Sequence, residues 1–295
     1  MSASFKSMVS WRAVLTRELE EEQLREKEYL YQQVEFNDSG SPLCEETYFA
    51  DGILEHKYTY KYDENNRVVE EMLIEEGEFV SEHRTMDYNE AGLLNHEYRH
   101  YQDETCDTTE FVYDDKGKLL SKRTVDSDGE EESRTEYIYD KGLLILEKTD
   151  DSENDARSEK HFSYDDSGHL LEESVNSPEE KFRHVNDYDE KGRRLISRRY
   201  NGDGHLVERV TFTYDDADNA VSYKEETTAG ITFTALEYDA GGRIIMQEET
   251  SESGALISRI LRRYDENGLL LENSVFVEGS SRRAPQDYRV RYEYE

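Results

Sequence analysis

The 295-residue chain is poor in cysteine, proline and tryptophan, with two, three and one of these residues respectively. Cys44 and Cys106 are far apart in the sequence, which excludes a disulfide framework and a structural zinc site made of thiolates alone. We expect both to be reduced, as in a cytosolic protein. The shortage of proline favours β-strands, because proline cannot donate a hydrogen bond to a neighbouring strand.

Apolar and basic residues are scarce as well. Hydrophobic residues make up 35% of the chain, and Lys+Arg 36 against Asp+Glu 70 gives a net charge of −34. No apolar run approaches the ~20 residues of a membrane-spanning helix, and no secretory signal is visible. The sequence also lacks a stripe of Lys and Arg residues that could bind the phosphate backbone of a nucleic acid. We therefore expect a cytoplasmic protein that binds neither membrane nor nucleic acid, and whose core is thin.

A repeat of roughly 25 residues occupies most of the chain. Each copy has an aromatic residue, then Asp or Asn, two variable residues, Gly, Asn or Asp, and a mostly aliphatic pair; the copy at Tyr139 is one residue short. The ten copies begin at Phe36, Tyr62, Tyr88, Tyr113, Tyr139, Tyr164, Tyr188, Tyr214, Tyr238 and Tyr264.

This pattern is that of a tight turn. Asp at the first turn position and Gly three residues later are typical of a type I turn, and the Asp side chain accepts hydrogen bonds from the backbone that follows. The acids are Asp63, Asp114, Asp140, Asp165, Asp189, Asp215, Asp239 and Asp265. The glycines, which tolerate a left-handed conformation, are Gly40, Gly92, Gly117, Gly168, Gly192, Gly242 and Gly268.

A second, looser turn lies halfway through each repeat, for example at Asn201–Gly204. Each repeat is therefore predicted to form two antiparallel strands of about eight residues. The fold class predicted for residues 29–295 is all-β: a long antiparallel meander of about ten two-stranded repeats, either an extended sheet or a coiled, spiral one. Aromatic residues two positions before the repeat tyrosine point to the same face and predict an aromatic ladder there; they are Tyr60, Phe111, Tyr137, Phe162 and Phe212.

The first 28 residues differ from the array. Large apolar residues recur there at every fourth position, within a stretch rich in helix-forming residues; they are Trp11, Leu15 and Leu19. This spacing predicts a short N-terminal helix that caps the array over residues 1–28. A hairpin is the competing interpretation, because Tyr29 to Phe36 already has the pattern of a strand.

The units from Tyr62-Asp63 to Tyr264-Asp265 resemble the YD repeats of the rearrangement-hotspot (Rhs) family, found in bacterial toxin shells and teneurin-like proteins. The resemblance covers about residues 36–275. It implies a long β-sheet that spirals into a shell, with the tyrosines forming a structural ladder. The repeats here are longer than the family's usual unit, and no C-terminal toxin domain is visible, so the resemblance implies the architecture more than an enclosing role.

His96, Glu97 and His100 match the H-E-x-x-H motif of zinc hydrolases. That motif requires a helix, whereas this segment follows the Gly92 turn, where the other repeats predict a strand. Paired acids such as Asp114-Asp115 suggest calcium, but the spacing of an EF-hand is missing and the first acid already has a role in the turn. We expect no enzymatic activity, no metal and no cofactor.

Composition and repeat together predict a non-catalytic acidic protein that binds another protein, one with a basic surface. Within that class we favour a bacterial immunity protein or inhibitor of a basic toxin or effector. The alternatives are a structural shell or scaffold that encloses or displays cargo, and a zinc-dependent hydrolase built on His96, Glu97 and His100. The charge would also be explained by the need to keep a strand-rich protein soluble.

Overall fold

The computed structural model describes residues 5–15, 27–77, 79–152, 154–279 and 284–295. Within these ranges every regular element is a β-strand, and the 22 strands belong to one sheet. The prediction of an all-β protein is confirmed. The chain divides into two compact units, one formed by Met1–His83 with Phe233–Glu295 and the other by Arg84–Thr232.

The first unit contains the beginning and the end of the chain. Consecutive strands pair in antiparallel fashion from β1 to β5 and from β19 to β22. Its strands are β1 (Ser7–Val14), β2 (Tyr29–Phe36), β3 (Pro42–Tyr48), β4 (Leu54–Tyr62), β5 (Val68–Glu75), β19 (Ile244–Ser251), β20 (Leu256–Tyr264), β21 (Leu270–Val277) and β22 (Gln286–Tyr294).

The second unit is an antiparallel meander in which neighbouring strands from β7 to β17 pair in order. Two strands contain a unit boundary, β6 (Phe79–Tyr88) and β18 (Gly230–Tyr238). The others are β7 (Leu94–His100), β8 (Cys106–Tyr113), β9 (Leu119–Val125), β10 (Glu131–Asp140), β11 (Leu143–Asp151), β12 (Ala156–Tyr164), β13 (Leu170–Asn176), β14 (Lys181–Tyr188), β15 (Arg194–Asn201), β16 (Leu206–Tyr214) and β17 (Ala220–Thr227).

The N-terminal segment corrects two predictions. Strand β1 pairs with β2 on one side and with β22 on the other, so that Met8 lies opposite both Val34 and Tyr294. The predicted N-terminal helix is therefore wrong where β1 is described; residues 16–26 lie outside the described residues. The prediction of an open or spiral meander is also wrong, because the pairing of β1 with β22 closes the sheet. Two neighbouring strands satisfy the backbone of β1, and this outweighs local helix propensity.

The repeat turns are held by the acid or amide that follows the aromatic residue. In the second repeat, Asp63 Oδ1 accepts the backbone N–H of Asn65 and of Arg67, each at 2.9 Å. The Asp63 N–H donates to the Arg67 carbonyl at 2.9 Å. The fourth turn residue is left-handed, with φ 79° at Gly40, 60° at Asn66 and 66° at Asp218. Turns with the same local hydrogen bonds recur at Asp114, Asp165, Asp189, Asp215, Asp239 and Asp265.

The shorter copy at Tyr139 folds into a different turn. Lys141 and Gly142 both have positive φ, 46° and 90°, which is the pattern of a two-residue type I′ hairpin. Tyr139 lies opposite Leu144 and Asp140 opposite Leu143. The loss of one residue is absorbed by the change of turn type, so the hairpin is kept.

A register shift, typical of a β-bulge, occurs immediately before the repeat aromatic residue. Such a bulge bends the strand and increases its twist. It precedes Phe36, Tyr62, Tyr113, Tyr139, Tyr164, Tyr188, Tyr214 and Tyr264. The repeat therefore encodes local strand curvature at the same position as the turn.

Tyrosine hydroxyls connect most of the repeats to the preceding part of the sheet. The Tyr164 hydroxyl donates to the Leu144 carbonyl at 2.9 Å, twenty residues earlier. Equivalent bonds of 2.6 to 3.3 Å join Tyr62 to Pro42, Tyr113 to Leu94, Tyr139 to Leu119, Tyr188 to Leu170, Tyr214 to Arg194, Tyr264 to Ile244 and Tyr294 to Leu270. This series of bonds is called the tyrosine ladder below.

Few side chains are fully buried. Among the described residues the buried apolar side chains are Ala13, Val34, Val275 and Val290, from β1, β2, β21 and β22. Elsewhere the two faces of a strand differ only in degree. In β12, His161 and Ser163 are exposed, whereas the intervening Phe162 and Tyr164 are half-buried. Backbone pairing and cross-strand contacts therefore contribute more to stability here than a dry core.

Tyr164→Phe tests the tyrosine ladder. The variant keeps the ring but removes the donor to the Leu144 carbonyl, and we expect a loss of about 1 kcal/mol of stability, visible as a lower midpoint of urea unfolding. Tyr200→Phe is the control, because the Tyr200 ring lies under the Arg183 guanidinium at 4.7 Å and that contact does not use the hydroxyl. Equal midpoint shifts in both variants would show that the hydroxyl bond contributes nothing specific.

Candidate functional site

The H-E-x-x-H segment lies on strand β7, as predicted. His96 is opposite Glu110 and His100 is opposite Cys106 on β8. Four residues of strand span ~13 Å, which is too far for His96 and His100 to share one tetrahedral zinc ion. In the described ranges no group of three or more His, Cys, Asp and Glu side chains is placed to hold a metal ion.

Each histidine of the segment has its own polar neighbour instead. His96 Nδ1 lies 3.0 Å from Asp87 Oδ2, and the same carboxylate oxygen accepts the Tyr98 hydroxyl at 3.0 Å. His100 Nε2 lies 2.8 Å from the Thr85 hydroxyl. These contacts tie β7 to β6, and they explain the histidines as cross-strand hydrogen-bonding residues.

The two cysteines are free and half-buried. Burial raises the pKa of the Cys44 thiol and of the Cys106 thiol. Less thiolate is present at neutral pH, and the thiolate is the reactive form. Neither environment therefore activates a cysteine nucleophile.

The two acids of each Asp-Asp pair have different roles. Asp114 Oδ1 accepts the backbone N–H groups of Lys116 and Lys118, both at 2.8 Å, and these bonds hold its pKa below the usual value, the Lys118 bond most of all. Asp115 is exposed. The Asp165-Asp166 and Asp215-Asp216 pairs repeat this division. The first acid shapes the turn and the second presents its charge to solvent.

The residue five positions after the repeat aromatic residue has a role that sequence reasoning missed. Arg193 donates to Asp189 Oδ2 at 2.7 Å and to Asp218 Oδ1 at 2.6 Å, and its guanidinium lies 4.8 Å from the ring centroid of Tyr214 in the next repeat. It thus joins its own turn to the next one. We call this place in each repeat the bridging position.

Three further repeats place a basic residue or histidine at the bridging position beside the next tyrosine. Lys118 lies 4.8 Å from the ring of Tyr139, and Arg243 lies 4.9 Å from that of Tyr264. His169 stacks on Tyr188 with ring centroids 5.0 Å apart, while its Nδ1 contacts Asp165 Oδ2 at 2.8 Å. The signal in the sequence is a recurring Arg, Lys or His five residues after the repeat aromatic residue, next to the mostly aliphatic pair that defines the repeat.

An ionic cluster lies where β1 meets β22. Glu28 accepts hydrogen bonds from Arg289 at 3.2 Å and from Arg291 at 2.9 Å, and the side chains of Glu28 and Arg289 are 5% and 6% exposed. Arg12 lies between two rings, 4.0 Å from the Tyr288 centroid and 5.2 Å from that of Tyr31. Removal of one member would leave a buried charge unpaired, so these contacts help to hold the first and last strands together.

A second acid–arginine cluster lies in the unit formed by Arg84–Thr232. Glu131 on β10 accepts from Arg134 Nη2 at 2.9 Å and also from Arg123 on β9. These hydrogen bonds, led by that from Arg134, lower the pKa of Glu131 to about 2. The charged form of Glu131 is therefore favoured in the folded protein.

A family model described as an uncharacterised protein matches residues 149–295. No curated protein matches the chain. Over 98% of its length the chain is similar to part of the TcdB2–TccC3–Cdc42 crystal structure, with 14% identity, a TM-score of 0.48 and 17% of that chain covered.

Two further structures show weaker likeness. A mutant Tc holotoxin pore from Photorhabdus luminescens has 12% identity and a TM-score of 0.46, with 95% of this chain and 17% of that chain covered. A porin-like protein from Bacteroides uniformis has 12% identity and a TM-score of 0.32, with 99% and 98% covered. This chain thus spans about a sixth of the Tc toxin chains it matches. Likeness at this level assigns no function.

The described part of the chain contains no helix with the length and apolarity needed to cross a lipid bilayer.

Metal analysis of the purified protein tests the strand geometry of the H-E-x-x-H segment. We expect zinc far below one equivalent, and no change in His96→Ala or His100→Ala, because the two imidazoles lie too far apart on β7 to share an ion. Stoichiometric zinc that is lost in His96→Ala would contradict this assignment.

Acid unfolding tests the Glu131 cluster. A carboxylate with a lowered folded-state pKa stabilises the protein above its unfolded value of 4.5 and loses this effect as the pH falls through about 2. We expect Glu131→Gln to be less stable than wild type at neutral pH and to lose less stability between about pH 4.5 and about pH 2. Glu190→Gln, at an exposed turn, controls for the change in net charge. Identical acid profiles for both variants would contradict the assignment.

Proposed function

We propose that this chain is a non-catalytic acidic β-repeat protein that binds another protein through the acidic ends of its repeats. The observation that carries the proposal is the exposed acid at the second position of the repeat turns. It recurs at Asp38, Glu64, Glu90, Asp115, Asp166, Glu190, Asp216 and Glu266. The preceding residue holds the turn, so the second acid is available to a partner.

The placement of these acids favours a surface rather than a pocket. Each lies in a turn that joins an even-numbered strand to the next odd-numbered one, so within each unit these turns share one end of the strands. Successive turns are two strands apart, which corresponds to ~10 Å. A regular row of negative charge is complementary to a basic protein surface, and such complementarity raises association rates.

We further propose that the repeat is of the YD type and that the partner is a basic bacterial toxin or effector, for which this chain acts as an immunity protein or inhibitor in the cytoplasm. The support is the Tyr-Asp turn motif, the tyrosine ladder and the net charge of −34. An acidic surface of this kind suits the nucleic-acid groove of a basic nuclease.

The pairing of β1 with β22 favours a second candidate, a structural scaffold that displays cargo. A closed sheet has its first and last strands hydrogen-bonded, which protects strand edges from pairing with other chains. Such a scaffold would hold its cargo with little dependence on salt, because the row of acids would serve solubility alone.

Affinity purification of the full chain from its host, followed by mass spectrometry, tests the proposal. We expect a basic protein as the main partner, with affinity that falls steeply between about 50 and about 500 mM salt because exposed charges are screened. The control is a variant in which Glu90, Asp115, Asp166 and Glu190 are replaced by Gln or Asn. Salt-independent binding that this variant retains would contradict charge-driven recognition and favour the scaffold.

A further inference from the structure

A groove of about 640 Å³ lies between the turns of the third and fourth repeats, wholly within the second unit. Its lining includes Leu93 from one turn and Phe111, Val112 and Tyr113 from the strand that enters the other. The volume is in the range of small-ligand sites. Val112 is 43% exposed, so the groove is accessible from solvent.

The bridging position beside the groove holds an aliphatic residue. Lys118, Arg193 and Arg243 occupy that position in other repeats and place a cation beside the tyrosine of the next repeat. The third repeat has Leu93 instead. Leucine is shorter and uncharged, and its Cδ1 lies against Gly117, 3.5 Å from where a β-carbon would stand. Leu93 and Tyr113 both line the groove, so the chain supplies no cation from the bridging position there.

The polar lining of the groove carries a net negative charge. Asn89, Asp114 and Asp115 line it together with one cation, Lys116. Asp114 uses Oδ1 for the turn, and Asp115 is exposed. Aromatic rings beside carboxylates form an environment that suits a guanidinium group, which stacks on a ring and pairs with a carboxylate at the same time.

We infer that this groove binds an arginine side chain of the protein partner, which supplies the cation that the chain itself supplies at the bridging position of other repeats. The inference rests on the proposed function and adds a defined contact point to it. Arginine fits better than lysine because its planar group both stacks and forms paired hydrogen bonds.

The repeat provides a matched pair of variants. Leu93→Arg places the chain's own guanidinium in the groove. Leu269 occupies the bridging position of the last repeat, where its N–H donates to Asp265 Oδ1 at 2.8 Å. Leu269→Arg therefore makes the same charge change at the same repeat position, away from the groove.

The probe is an N-acetylated, C-amidated Gly-Arg-Gly peptide, titrated into full-length protein with labelled valine methyl groups. We expect saturable shifts of the Val112 methyl signals. The apparent dissociation constant should rise at least about fivefold in Leu93→Arg and less than about twofold in Leu269→Arg, since one cation–π contact is worth about 1 kcal/mol or more. A peptide with neutral citrulline in place of arginine should give no saturable shift.

A second pair removes charge without filling the groove. Asp115→Asn should weaken peptide binding, whereas Asp166→Asn, at the equivalent place two repeats later, should not. Equal effects of the two members of either pair, or equal binding of the citrulline peptide, would overturn the inference. The partner purification would then still test the proposed function separately. Peptide binding in the groove without any basic partner would contradict the proposed function and leave the arginine site standing.

Discussion

The hydrogen bonds of the repeat turn are the constraint on which the rest of the structure depends. An Asp or Asn carboxyl or amide oxygen accepts two backbone N–H groups, and the residue at the left-handed position lets the chain reverse. The repeat tyrosine then donates its hydroxyl to the previous repeat. Because so few side chains are fully buried, these polar contacts, made again in each repeat, replace much of the stabilisation that a thick apolar core would provide.

The hydrogen bonds of the repeat turns also determine how charge is distributed over the surface. Turn acids that accept backbone N–H groups are fixed, and their arginine, lysine or histidine neighbours at the bridging position tie one turn to the next. Arg193 is the fullest example, with Asp189, Asp218 and Tyr214 as its partners. The acids at the second turn position are exposed to solvent. Local pairing at one position and exposed charge at the next explain how a chain of net charge −34 forms a regular structure and presents an acidic surface.

Variation between the repeats is where recognition can arise. A perfectly regular array would present the same contacts everywhere, but Leu93 stands where other repeats have Lys118, Arg193 or Arg243, and a groove lies beside it, lined by Phe111 and Tyr113. The short turn at Lys141-Gly142 is a different kind of change, since it preserves the hairpin and alters only the turn. A substitution at the bridging position changes side-chain chemistry at constant backbone geometry, which is how one fold acquires a specific contact.

The sequence by itself determined the strand–turn periodicity, the turn chemistry at residues such as Asp63 and Gly117, and the strand conformation of His96 to His100, because these follow from short-range hydrogen bonding and steric limits. Only the tertiary structure decided that the N-terminal segment forms a strand and that the first and last strands of the sheet pair with each other. The spacing of Trp11 and Leu15 is compatible with a helix, yet Ser7–Val14 is a strand because β2 and β22 lie on either side of it. Pairing between the two ends of a chain is a long-range contact that leaves no local signal.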